Sequence, residues 1–449
     1  MPKEELQRTF GLSTSTYVVI ASMVGTGILI SPGYMMASLA NYPVIFGLWA
    51  LGGLLALCGA LCVGELAAAL PRAGGEYVYL REAYGPMPAF LSGWTSFFVG
   101  FSAPLAVAGY IAALYLLTPF GLVREESGYT VQFVAAAIIA AVTLPNLLGH
   151  RHSALTQNLT TIVKLGLFVA LVVLAFLSGE GRLANLSQGQ AVRQVELPTA
   201  ASQLFYVMFA YSGWNAASYM AGEIKNPGKT LPRSLLLGTL LVVVLYLALN
   251  LTFAYAVPLA SVNFGNAEQV PQLAVENLFG SRASSVFSVL LGLAFLATVS
   301  AFIITGPRIY YAMAVDGLFP SMAEHLSTKG RVPVYAMLLQ SVCAILILFV
   351  TDFQNLYKYA AVGQSLFAML FVGAVYVLRF RRPEMARPFR VPGYPVTPAI
   401  FMVVTVFMAV FAFEQWRGPS LFSLGSILLG IPVYYAWSLL RRRRRHEKH

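Results

Sequence analysis

Apolar residues fill this chain in long runs, and two of the runs are cut near their middles by small residues. The cuts are Met23-Val24-Gly25-Thr26-Gly27-Ile28 and Phe209-Ala210-Tyr211-Ser212-Gly213-Trp214-Asn215. A run of about 20 apolar residues suffices to cross a bilayer as a helix. Twelve such spans can be placed, at about 15–39, 44–70, 88–117, 129–148, 155–177, 200–222, 233–257, 284–314, 333–351, 356–378, 394–414 and 420–440. The pattern predicts an all-α membrane protein with 12 transmembrane helices. In lipid an interrupted helix leaves backbone groups unpaired, so a break persists only where protein or a cavity covers it.

The interrupted spans are the first and the sixth. An offset of five spans brings the second unit into the membrane from the opposite side. The 449 residues are therefore expected to form a single transmembrane domain. It would hold inverted repeats at about 15–177 and 200–378, with two extra C-terminal helices at about 394–440. This rests on the placement of the breaks, because the halves share no convincing sequence identity. Two interrupted spans in corresponding positions are the sequence mark of a secondary transporter's binding site.

Composition agrees with the hydropathy pattern. The chain is 58% hydrophobic and 10% charged, with a mean hydropathy of +0.71, whereas soluble domains carry about 25% charged residues. The net charge of +11 has a membrane explanation. With the N-terminus inside, 22 of the 29 Lys and Arg residues fall on cytoplasmic segments, Arg441 to Arg445 among them. Six are counted outside, and with residues near the span ends assigned to the adjoining segments Lys164 alone is counted within a span. By the positive-inside rule both termini are cytoplasmic in a multi-pass protein of the cell membrane, and no nucleic-acid partner is expected. Cys58, Cys62 and Cys343 all sit within spans, so no extracellular disulfide is expected. Cys58 and Cys62 share a helix face; that spacing suits a metal, but buried cysteine usually packs as a small hydrophobe. No His or third Cys lies near them in sequence, and no metal or cofactor is expected. The first span continues into Ser31-Pro32-Gly33 without a signal-peptide cleavage pattern, so it is expected to persist.

The breaks carry chemistry of their own. A helix N-terminus offers free N–H groups and favours an anion, while a C-terminus offers free carbonyls. The N–H groups of Thr26, Gly27 and Ile28 would face a substrate carboxylate, with the Thr26 hydroxyl as a further donor. Carbonyls of Met23 and Val24, and across the cavity those of Phe209 and Ser212, would be open to an ammonium. That pair of poles suits a zwitterion such as an amino acid. Small residues also serve plain helix packing, and the second break, followed by Trp214 and Asn215, favours the site. A charge within a span marks a functional position by default; the alternative for Lys164 is snorkelling to the interface. Glu65 and Glu223 are placed either to pair with arginines on the cytoplasmic side or as static interface residues.

Gly25-Thr26-Gly27-Ile28 with Ser31-Pro32, Pro71-Arg-Ala-Gly-Gly-Glu-Tyr77, the Phe209–Asn215 segment and Glu223-Ile-Lys-Asn-Pro227 together resemble the amino acid–polyamine–organocation superfamily. Arg387-Pro-Phe-Arg-Val-Pro392 adds a resemblance to its L-type amino acid transporter branch. The resemblance covers nearly the whole chain. It implies a LeuT-like 5+5 inverted repeat, alternating access and amino acid transport, commonly by exchange. By position it makes Met23, Thr26 and Gly27 first-helix substrate contacts, and Phe209 and Ser212 sixth-helix contacts. Phe209 would be the aromatic gate; its other reading is an ordinary core aromatic. Val24, Gly25, Ile28, Ala210 and Gly213 belong to the same broken segments, while Tyr211, Trp214 and Asn215 are pocket or structural neighbours. Lys164 resembles the fifth-helix lysine that takes the place of sodium, reaching first-helix carbonyls and Thr298, Ser300 or Thr305. Eukaryotic members carry a cysteine between spans three and four that bonds a heavy chain. Pro119 to Gly128 holds none, so no disulfide-linked heavy chain is expected.

The expectation is a sodium-independent exchanger of neutral L-amino acids, not an enzyme: no buried acid–base pair or nucleophile–base arrangement appears. No acidic residue neighbours either break in sequence, which disfavours a cationic cargo. The alternatives are a proton-coupled symporter, a cationic amino acid or polyamine carrier, and a non-transporting amino acid sensor.

Overall fold

A computed structural model describes residue 8 and residues 10–72, 74–123, 128–147, 153–189, 195–326, 332–350 and 352–446. The side chains of 153–161, 312 and 440–446 lie outside the described set, as do Lys3, His150, His152 and the side chains of Arg441–Arg445. Within it the architecture is helical throughout, with only two isolated β-bridges.

The first apolar run is two helices, α1 (Leu12–Met23) and α2 (Gly27–Leu39), separated at Val24-Gly25-Thr26. α3 (Tyr42–Ala69) returns across the molecule. Its start is fixed by Asn41, whose Oδ1 accepts the Val44 N–H at 2.9 Å, with Pro43 in the first turn where its missing N–H costs nothing. Glycines at positive φ, Gly75 (52°) and Gly85 (96°), bracket the short α4 (Glu76–Tyr84). α5 (Pro86–Thr95) passes through a π-helical turn, Ser96–Ser102, into α6 (Ala103–Leu117). α7 (Thr130–Leu147) and α8 (Ser153–Ser178) complete the first half. The sixth run is also two helices, α9 (Leu197–Ala210) and α10 (Ala216–Tyr219), with turns between them. Then come α11 (Pro227–Ala256), α12 (Val270–Phe279), α13 (Ser281–Val315), α14 (Val334–Val350) and α15 (Phe353–Arg381). Last are α16 (Val396–Gln415), α17 (Arg417–Leu428) and α18 (Gly430–His446), the last two dividing the run expected as one final span.

Among the described residues nine helical segments are long and apolar enough to cross a membrane. Ile162–Ser178, Leu197–Ala210 and Val334–Val350 are shorter apolar helices, where the fifth, sixth and ninth spans were expected. The protein is a multi-pass membrane protein.

Two bridges orient the broken runs. Phe10 pairs with Ile224, putting the start of α1 and the end of α10 at one face, called here the near face. Asn41 pairs with Gly189 beyond the other ends, at the far face. The pair α1–α2 therefore runs near to far and α9–α10 far to near.

Lipid tails are as apolar as the helices, so packing here rests on close van der Waals approach, which small residues permit. A Cβ on Gly238 of α11 would come within 2.7 Å of Val19 Cβ on α1, and one on Gly52 of α3 within 2.3 Å of Val207 Cγ1 on α9. These glycines hold α1, α3, α9 and α11 in one tight group around the breaks.

Candidate functional site

The two breaks face each other. A Cβ added at Gly27 would lie 2.4 Å from Ala210 Cα, and one at Gly213 would lie 2.7 Å from the Ser22 carbonyl oxygen. Gly213 also sits at φ 99°, a conformation that disfavours any Cβ. The segments Met23–Ile28 and Phe209–Asn215, 187 positions apart when Gly25-Thr26-Gly27 is set against Ser212-Gly213-Trp214, thus form one locus.

The backbone groups there divide by polarity. The N–H groups of Thr26, Gly27 and Ile28 meet no acceptor among the described residues, while the Thr26 carbonyl accepts from Leu29 and Ile30 at 3.1 and 3.2 Å. Those three free donors open α2. The Met23 carbonyl, expected to be open, already accepts the Tyr246 hydroxyl at 2.7 Å and the Gly25 N–H at 2.8 Å. The Phe209 carbonyl accepts the Ser212 N–H at 3.0 Å. Carbonyls of Val24 and Ser212 take no hydrogen bond from the described residues, so they are the open acceptors.

Side chains around the breaks take different parts. Phe209 is 6% exposed, and its ring lies 4.5 Å, centroid to centroid, from Tyr357 of α15. Tyr206 stacks on Tyr357 at 5.1 Å and on Tyr34 at 5.5 Å. Ser31 Oγ bonds the Tyr357 hydroxyl and donates to the Tyr206 carbonyl, each at 2.8 Å. This aromatic layer covers the breaks on their far side. Tyr211 and Trp214 point elsewhere: Tyr211 donates to the Trp49 carbonyl, and Trp214 packs against Gly59, Phe371 and Phe401.

Asn215 faces the near side, donating from Nδ2 to Glu76 Oε1 at 2.6 Å. An acidic side chain therefore does reach the sixth-span break, which corrects the expectation drawn from neighbours in sequence. Glu76 belongs to α4, 139 positions away, and nothing in the local sequence announces the pairing. Burial pushes its carboxyl up to about 7, an effect that the bonds from Asn215 and Tyr219 partly offset. Elsewhere on the near face Glu65 accepts from Arg379 at 2.5 and 2.8 Å and from the Val391 N–H at 2.7 Å. Arg387 lies 3.5 Å from the same carboxylate. The Glu65 pairing with arginines ties α3 to the Arg387–Pro392 motif. Glu223 contributes its carbonyl to Phe10.

Lys164 is 2% exposed, and its Nζ donates to Thr298 Oγ1 on α13 at 3.2 Å. The partner is one of the three expected; Ser300 instead bonds Asn146 at 3.1 Å. Among the described residues no carbonyl of α1 or α2 reaches the ammonium. Cys58, Cys62 and Cys343 are free thiols, and no three potential ligands gather for a metal among the described residues.

Above the aromatic layer, at the far face, a cavity of about 260 Å³ opens between α2, α9, α15 and α16, lined by Tyr206, Gln203, Lys358 and Trp416 among others.

Comparison with known proteins bears on what such an arrangement serves. A family model described as amino acid permease matches residues 10–435. The chain is similar to the b(0,+)-type amino acid transporter 1 of Mus musculus, 28% identical across 96% of this chain and 88% of that protein. It is 26% identical to the serine/threonine exchanger SteT of Bacillus subtilis, across 96% and 97% of the two chains. It is also 26% identical to the large neutral amino acids transporter small subunit 2 of Mus musculus, across 96% of this chain and 81% of that one.

Proposed function

Because this chain belongs to the amino acid permease family of the amino acid–polyamine–organocation superfamily, we propose that it exchanges neutral L-amino acids across the cell membrane without sodium. The observation that carries this reading is the polarity of the facing breaks. Three unpaired N–H groups open α2, and the Val24 and Ser212 carbonyls stand free beside them. The N–H cluster binds the α-carboxylate, aided by the positive end of the helix dipole, and the carbonyls receive the α-ammonium. Water is scarce at this depth, so each contact counts for more than it would in solution.

Alternating access follows from the layers on either side. Phe209 with Tyr357 and Tyr206 gates the far side, and the Glu76–Asn215 and Glu65–Arg379 contacts bind the near side. Nine long and three shorter apolar helices among the described residues, with the opposite run of α1–α2 and α9–α10, support a reading of twelve spans with an inverted-repeat core of 15–177 and 200–378. In this reading 394–440 are appended and the near face is cytoplasmic. Lys164 supplies, through Thr298, the fixed positive charge that a sodium ion would otherwise provide, and no separate heavy chain is required.

Uptake of radiolabelled amino acids into proteoliposomes tests the reading. Exchange predicts fast uptake only into preloaded vesicles, indifferent to sodium and to a protonophore. Equal uptake into empty vesicles would reject exchange, and collapse with a protonophore would indicate proton coupling. Binding without flux would indicate a sensor. A second reading, acceptance of a cationic side chain, is favoured by Glu76 beside Asn215. Competition by lysine and arginine against a neutral substrate decides it.

A further inference from the structure

The far-face cavity holds two polar groups that make no hydrogen bond or ion pair of their own among the described residues, the Lys358 ammonium and the Gln203 amide oxygen. Lys358, on the first turns of α15, forms no ion pair among the described residues; its Nζ lies over the Trp416 ring, 5.4 Å from the centroid. The nearest acid along its own helix, Asp352, is engaged in capping α15, accepting the N–H and the side-chain amide of Asn355 at 2.9 and 2.6 Å. Gln203, on α9, is only 4% exposed, and its amide oxygen meets no donor among the described residues. A buried polar atom left unpaired is destabilising, so an orphan in a ready cavity calls for a ligand. Both residues line the same cavity, with Trp416, Tyr206 and Phe264 as apolar wall.

We infer that this cavity is a second amino acid subsite, outside the aromatic gate, where Lys358 holds the carboxylate and the Gln203 amide oxygen receives the ammonium. An ammonium lacking an acceptor and an amide oxygen lacking a donor are the complement of an α-amino acid. A cation on an aromatic face remains available to an anion while being kept from lipid. The volume admits a single amino acid and little more, below the usual range of drug-sized sites. Tyr206 joins the subsite to the transport route: its ring lines the cavity and stacks on Tyr357, which in turn covers Phe209. A solute captured here waits one aromatic layer from the breaks.

The inference rests on the reading of the chain as an amino acid carrier, yet it is tested by binding and not by flux. The protein contains five tryptophans, so the signal is the part of the indole emission that Trp416→Phe abolishes. Full-length protein in lipid nanodiscs is titrated with L-alanine and with propionate, which has a carboxylate but no ammonium. The expected result is a saturable, Trp416-dependent change with both. Lys358→Gln should weaken both by about tenfold, the size of one charge-assisted hydrogen bond, and Lys358→Arg should restore them. Gln203→Leu should weaken L-alanine alone, which keeps the test alive if Lys358→Gln does not fold. No saturable signal in the wild type, or binding by Lys358→Gln and Gln203→Leu as tight as that of the wild type, overturns the subsite. If the signal is present but no amino acid is moved, the transport reading falls and the subsite stands.

Discussion

Gly27→Ala adds one methyl group where α2 meets α9. Its Cβ would stand 2.4 Å from Ala210 Cα, 2.8 Å from Ala210 Cβ and 3.0 Å from the Ala210 nitrogen. Ordinary carbon contacts lie at about 3.5–4.0 Å, so the two helices must part by roughly 1 Å. The obstacle is backbone, which cannot rotate away as a side-chain tip can. Overpacking of this kind typically costs about 1–3 kcal/mol. If that cost falls on the state in which the breaks close on substrate, exchange slows about 5- to 150-fold. Gly25→Ala is the matched control: its Cβ would meet nothing nearer than the Met23 carbonyl oxygen at 3.8 Å. Both variants are reconstituted, and initial exchange rates are measured alongside thermal unfolding in detergent. Gly27→Ala should lose flux and melt earlier than Gly25→Ala. Wild-type flux in Gly27→Ala, or equal loss in both, would refute the claim that the breaks work at contact distance.

Phe209→Ala removes the ring that meets Tyr357 at 4.5 Å, and reconstituted exchange should fall sharply; unchanged rates would reduce Phe209 to a core aromatic. Lys164→Ala leaves Thr298 Oγ1 without its donor and should impair transport while membrane insertion, followed by fractionation, stays intact. Unchanged kinetics would reduce Lys164 to a structural lysine. Glu76, raised to about 7 in the folded protein, is mostly neutral at pH 6 and mostly ionised at pH 8. On the cationic-cargo reading, inhibition by lysine should therefore strengthen as pH rises, and Glu76→Gln should flatten the trend. Because its folded value exceeds the ordinary carboxylate value, its contribution to stability is full below about 4.5 and fades as pH climbs through about 7. Thermal unfolding across that range should give the same direction.

The breaks were legible because Gly25-Thr26-Gly27 and Ser212-Gly213 stand inside otherwise apolar runs, at corresponding places in the first and sixth spans. Lys164 was legible as a basic residue deep within an apolar run, and Thr298 as one of its three expected partners. What the sequence concealed are pairings made across the fold. Tyr357 closes over Phe209 from α15, and Tyr246 takes the Met23 carbonyl from α11. Each looks like one more aromatic in an apolar helix. Glu76 meets Asn215 only because α4 carries it there, across 139 positions of sequence. Tyr211 and Trp214 were open in sequence between pocket and packing, and the contacts of their side chains lie with α3, α15 and α16.

The central claim is that opposed helix ends seize both charges of one small molecule. Preloaded proteoliposomes offered, in parallel, a labelled amino acid, the amine left by removing its carboxyl, and the acid left by removing its amino group test it directly. The account predicts counterflow of the intact amino acid alone. Counterflow of either half at a comparable rate would contradict it.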